Sequence, residues 1–237
     1  MSESLPALVA CSHGTRSAAG AAAVAALVSA VRDRLGSVEV IDTFVDVQQP
    51  ALGEVLGQVG RREAIVVPLL LSAGYHVHHD IADAVDRNPS HRATDPLGPN
   101  SALVEILVER LIESGMSGAD TVVLGASASS DQVAVESMNQ VASALSERLG
   151  RLVPLGHVGH CGTALADVVA AAREPGRRVL LASYLLAPGH FHDALKNVGA
   201  DLVTAPLLDE RLPDERLVDL VVQRYQNAAD FGFAAAV

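Results

Sequence analysis

Three polar residues follow apolar runs that read as strands. They are His13 in Ser12-His13-Gly14-Thr15-Arg16, Asp46 in Phe44-Val-Asp-Val-Gln-Gln-Pro50, and His76 in Gly74-Tyr-His-Val-His-His-Asp80. Two imidazoles and a carboxylate make a ligand set suited to Fe2+, Co2+, Ni2+ or Zn2+, with positions left open for a second ligand. A neutral imidazole, whose ordinary pKa is about 6.5, can also accept a proton near neutral pH. Taken singly, each residue has a bland alternative: a His after a strand is more often a surface or hydrogen-bonded residue, and Asp46 could cap a helix before Pro50. The set of three carries more weight than its members. Arg16 can grip a carboxylate with its fork or pair with a surface acid, and Ser12, Gly14 and His78 are further candidate substrate contacts. Ser12 and His13 are a poor nucleophile–base pair, because neighbours at a strand end point to opposite faces.

For the three to converge, their strands must be adjacent. Leu5–Cys11, Val38–Val45 and Ala64–Leu71 are apolar and rich in branched residues, as expected of parallel strands buried on both faces. Helical spacing appears over Ser17–Leu35, Pro50–Gly60, His76–Arg87 and Pro99–Ser114, and a short strand is expected near Arg92–Leu97. A sheet order of 2-1-3-4 brings the ends of strands one, two and three together at the edge where such folds bind ligands. The same βα order repeats. Strands are expected at Thr121–Ala126, Leu152–Val158, Arg178–Tyr184 and Asp201–Ala205, and helices at Gln132–Leu149, Gly162–Arg173, Gly189–Val198 and Asp214–Gln226. Thr43–Leu56 lies without gaps over Gly156–Val169, and the segment from Leu71 to His78 lies over Leu185 to His192. This pattern points to duplication. The fold class expected is therefore α/β, with two flavodoxin-like halves, each an open parallel four-stranded sheet with flanking helices. The division falls at 1–116 and 117–237, and the cleft between similar halves is the default site.

The second half is degenerate in the chemistry. Ala126-Ser127-Ala128 stands where the first half has Ser12-His13-Gly14, and Gly159 stands for Asp46. His190 and His192 are expected to line the far wall of the cleft. The rival is a second metal site built from His157, His160, Cys161 and His190. Neither a GxxxxGK[ST] loop nor a GxGxxG turn nor a GxSxG elbow occurs, so phosphate cradling and serine-hydrolase chemistry lack their motifs.

Composition narrows the class. In 237 residues, 49% are hydrophobic and 19% charged, enough apolar material for a buried core and too little charge for a disordered chain. A formal charge of −11 disfavours nucleic acid and anionic lipid as partners. Cys11 and Cys161 have no CxxC spacing, so reduced thiols and a cytoplasmic location are expected. No signal peptide or membrane span is read from the sequence.

With these residues placed, the chain resembles the class II chelatases, the sirohydrochlorin chelatases of siroheme and cobalamin synthesis. Ser12-His13-Gly14-Thr15-Arg16 is similar to the family's His-Gly-Ser-Arg segment, and Phe44 to Pro50 to its acidic segment. Val67-Pro68 through His76 to Asp80-Ile81 is similar to its Pro-Leu-Leu…His…Asp-Ile-Pro segment, with Ala82 in place of the proline. The family has a short form that pairs as a homodimer and a long two-unit form like this one. The resemblance implies that His13 and His76 bind the metal and accept pyrrole protons, with Asp46 assisting. Asp46 stands where many members have Glu, and the shorter side chain suits a water-mediated or proton-accepting role. The implied reaction is insertion of Fe2+, or alternatively Co2+, into an eight-carboxylate macrocycle, with Ni2+ a further candidate metal and no cofactor beyond that substrate metal. A monomer is expected. A carrier of metal or tetrapyrrole using the same His pair without turnover is the alternative.

Overall fold

The computed structural model describes residues 5–74 and 76–234, with the side chains of His76, His78 and 231–234 outside the description. Eight strands and eight α-helices alternate among them. Each half of the chain begins with a strand at the centre of its own sheet, β1 (Ala7–Ser12) in the first and β5 (Thr121–Ser127) in the second. The first sheet has the order β2-β1-β3-β4, with β2 at Val40–Phe44, β3 at Ala64–Pro68 and β4 at His91–Ala93, all parallel. The second has the order β6-β5-β7-β8, with β6 at Leu155–Val158, β7 at Val179–Tyr184 and β8 at Leu202–Val203. The 2-1-3-4 order expected from the sequence is the one found. Each of the six residues of β1 is buried, as both-face burial requires.

The chain divides into two compact units, and their boundaries are not those of the repeat. One unit holds residues 1–97 and 212–237, and the other holds 98–211. In the first unit, α2 (Leu52–Val59) and α3 (Ala82–Asp86) cover one face of the sheet, where Val9, Cys11, Leu52, Leu56, Val66 and Ile81 share a core. The other face is covered by α1 (Ala18–Leu35) and by α8 (Glu215–Ala234) from the far end of the chain. Tyr225 of α8 donates to the carbonyl of Pro6 at 2.7 Å, and Arg34 of α1 pairs with Asp219 and Glu215. In the second unit α6 (Leu165–Ala171) and α7 (His190–Lys196) cover one face, with α5 (Gln132–Leu149) and α4 (Ser101–Glu113) on the other. A division at 116/117 therefore separates α4 from the sheet it covers. The physical reason is that each last helix buries its apolar stripe on the other repeat's sheet: Leu103, Leu107 and Leu111 do so in α4, and Leu217, Val221 and Tyr225 in α8.

The duplication is visible in backbone detail. Phe44 bridges Ala51 and His157 bridges Ala164; Phe44 N–H donates to Pro50 at 3.1 Å and His157 N–H to Thr163 at 2.9 Å. Every one of these pairs keeps the offset that laid Thr43–Leu56 over Gly156–Val169. The later alignment is one residue out on the strand side. Leu97 N–H donates to Leu70 and Leu207 N–H to Leu185, so Leu185 matches Leu70 and the first loop is one residue longer before its helix. No described helix is long and apolar enough to cross a membrane.

Candidate metal and proton-transfer site

The carboxyl edge of the first sheet is built from two loops that hold each other. After β1 the chain runs Ser12-His13-Gly14-Thr15-Arg16 and enters α1, whose N-cap Ser17 accepts from Gly20 N–H at 3.2 Å. After β2 it turns through Asp46 to α2. Val45 N–H donates to Ser12 O at 3.0 Å, and Asp46 N–H donates to His13 O at 3.1 Å. The backbones of His13 and Asp46 are thus directly bonded, as the sheet order implied.

Two backbone conformations make the contact possible. Gly14 has φ +91°, and a Cβ there would lie 2.3 Å from Asp46 O, so no other residue fits. Val47 has φ +62°, the one positive value for a non-glycine residue among those described. A β-branched side chain there costs on the order of 1–3 kcal/mol and persists where its surroundings over-determine it, a feature concentrated at functional sites. Asp46 Oδ1 accepts from Val47 N–H at 2.7 Å, so the carboxylate stabilises its own turn. His13, Arg16 and Asp46 are exposed, whereas Ser12 is buried at the end of β1.

Beyond β3, Leu69 N–H donates to Cys11 O at 2.7 Å and extends the ladder toward the third loop. That loop leads into a π-helical turn, His76–Ile81, ahead of α3. The sequence reading gave one regular helix there; a π turn is rare and recurs at functional sites. Its end is fixed from below by Ile81, fully buried in the core beside Cys11. Burial, and next the charge of Asp80, push the Cys11 thiol up to about 12, so it stays protonated near neutral pH. The turn thus lies close to the end of β1. The side chains of His76 and His78 lie outside the described residues. Among the described residues no three His, Cys, Asp or Glu side chains gather as a metal site would need.

The second unit lacks this site. By register, Ala126, Ser127 and Ala128 match Ser12, His13 and Gly14, and Ala128 N–H simply continues the ladder to Val158 O at 2.8 Å. Gly159, in the place of Asp46, has φ +128°, and a Cβ there would meet Ala128 Cβ at 2.9 Å. His160, Cys161 and His190 are exposed and His157 is buried, without assembling into a metal group. His192 is also buried, with Nε2 3.1 Å from Thr204 O, the carbonyl that Ser183 Oγ reaches at 2.7 Å. It makes an internal hydrogen bond in this unit. Helix phase, invisible in the alignment, turns His192 inward.

The family model described as CbiX matches residues 7–114, just under half the chain and the stretch that contains His13, Asp46 and His76. Over that stretch the chain is similar to the CbiX family. The class II chelatase resemblance read from the sequence holds. Solved structures extend the likeness over nearly the whole length. SirB from Bacillus subtilis with Fe3+ aligns with a TM-score of 0.78 at 20% identity, covering 95% of this chain and 96% of that one. The sirohydrochlorin chelatase SirB from Bacillus subtilis subspecies spizizenii, in complex with cobalt, gives 0.74 at 18% identity, covering 95% and 96%. CbiX, the terminal enzyme for siroheme biosynthesis in denitrifying bacteria, gives 0.62 at 17%, covering 98% and 99%. At these identities the likeness is one of fold: this chain shares the two-sheet α/β architecture of those structures. A search of curated protein sequences gave no match.

Proposed function

We propose that the chain inserts a divalent metal ion, Fe2+ or Co2+, into a sirohydrochlorin-type tetrapyrrole at the carboxyl edge of the first sheet. The observation that carries this reading is the bonded pair of loops that presents His13 and Asp46 at that edge, within the stretch matched by the CbiX family model. The iron and cobalt held by the SirB structures support a metal as substrate.

Insertion requires two pyrrole N–H protons to leave while the metal sheds water. His13 offers an exposed imidazole to bind the metal or take a proton, and His76, opening the π turn beyond β3, supplies the second imidazole. Asp46, whose Oδ1 accepts from Val47 N–H, takes a proton through water. Arg16, exposed two residues beyond Gly14, draws a substrate carboxylate by its fork, offsetting the −11 charge of the chain. Time-resolved absorbance of sirohydrochlorin with Fe2+ or Co2+ and substoichiometric protein tests the proposal. Many turnovers per chain are expected; a single stoichiometric step would identify a carrier instead.

A further inference from the structure

We infer that Gln48 is a positioning residue that sets the ring tautomer of His13, an assignment whose catalytic meaning rests on the function proposed above. Gln48 Oε1 accepts a hydrogen bond from Thr15 N–H at 2.8 Å, across 33 residues of sequence. That N–H belongs to the Gly14–Thr15 peptide group, whose carbonyl, Gly14 O, lies 3.3 Å from His13 Nδ1. In a trans peptide the N–H and C=O are held in one plane on opposite sides, so a bond to one end aims the other. A carbonyl can only accept, so the contact places the proton on Nδ1 and leaves the Nε2 lone pair as the nitrogen that ligates metal or takes a proton. Gln48 thereby works through a single peptide plane. This is how residues behind a metal-binding imidazole set its orientation and basicity.

The surroundings agree. Gln48 N–H donates to Asp46 O at 2.6 Å, and Thr15 Oγ1 accepts from Ser17 N–H at 3.1 Å, tying both partners of the bond to their own loops. The His13 loop is therefore fixed on either side of Gly14, by Asp46 N–H on His13 O and by Gln48 on Thr15 N–H. In the second unit, which has Ser127 in place of His13, the offset of the repeat puts Cys161 where Gln48 stands, with no carboxamide to accept the bond.

The test uses the full-length chain labelled with 15N. Two-bond correlations from the His13 ring at about pH 8, where imidazole is neutral, report the tautomer, and amide exchange reports Thr15 N–H. Gln48→Leu should shift the ring away from the Nδ1–H form and speed Thr15 exchange at least about tenfold. It should lower kcat for Co2+ insertion about 10–100-fold, with KM for the tetrapyrrole little changed. Gln48→Glu keeps an acceptor and should restore the exchange protection and most of kcat. Gln48→Ser, too short to reach, replaces Gln48→Leu if that variant does not fold. An unchanged ring tautomer in the variant overturns the assignment, and a changed tautomer with unchanged kcat overturns its role in catalysis. A wild-type chain that inserts no metal overturns the functional reading instead, and the ring and amide signals then decide the Gln48 assignment by themselves.

Discussion

His13 is exposed while its backbone carbonyl is bonded to Asp46, so removing its imidazole should touch chemistry and not the fold. His13→Ala is expected to lower the insertion rate at least about tenfold, the order lost with a positioned acid/base or ligand group. Its melting temperature should stay within a few degrees of wild type; near-normal turnover would remove His13 from the mechanism. Val47 makes the opposite prediction. Its φ of +62° is strained for a β-branched side chain that is 45% exposed, so Val47→Asn should raise stability by about 1 kcal/mol in denaturant unfolding. A loss of stability would mean the valine is held by contacts rather than tolerated. At this scale the sequence was legible where a residue acts through type and strand-end position, as His13, Gly14 and Asp46 do. It was silent where a residue acts through the backbone: Gln48 reads as one of two glutamines before a proline, and nothing in the letters shows which peptide it meets. The sequence is silent on His192 for the related reason that its hydrogen bond to Thr204 O depends on packing.

The elements respond to pH in two separate windows. Burial, ahead of the Lys196 charge, holds the His192 imidazole below its usual value against the opposing bond to Thr204 O. The folded state therefore binds fewer protons than the unfolded one as pH falls through the free-imidazole range, about 6.5, and stability declines there. His192→Gln, which keeps an N–H donor for Thr204 O, should flatten the melting temperature between about pH 7 and 5; a variant curve parallel to wild type would assign the slope to another group. The second window lies lower. Buried Asp120 receives the Arg178 guanidinium through two bonds, 2.9 and 2.7 Å, which hold its carboxyl well below the usual carboxylate range. That stability is present above the ordinary carboxylate pKa, near 4, and is lost as acid approaches the depressed folded value. Arg178→Met should remove the most acidic part of the profile while leaving the slope near neutrality intact. The strand and helix order behind both sites follows from apolar runs and helical spacing in the sequence. The π turn does not, because HVHHDI has no letter that marks a widened turn and only the fully buried Ile81 shows where it must end.

At the scale of the whole molecule, the repeat in the sequence and the units of packing divide the chain differently. The CbiX match ends at residue 114, one residue past α4, yet α4 belongs to the unit 98–211 and α8 to the unit of residues 1–97. Periodicity shows that a helix has an apolar stripe; it does not show which of two similar sheets receives it, and here Leu103–Leu111 and Leu217–Tyr225 are exchanged. The exchange predicts how fragments behave. Residues 1–116 keep the first sheet without α8, so the face formed by α1 and β3 loses the cover that includes Leu217, Val221 and the Tyr225 bond to Pro6, while α4 has no sheet to pack on. That fragment should aggregate or remain molten, with poor amide dispersion by NMR. Residues 98–211 are continuous and contain α4 through α7 with their own sheet, and should unfold in one cooperative transition. Residues 1–97 joined to 212–237 by a flexible Gly/Ser linker should regain the dispersion that 1–116 lacks. A folded, cooperative 1–116 fragment would show that α8 is dispensable to the first sheet and that the repeat, not the exchanged unit, is what folds.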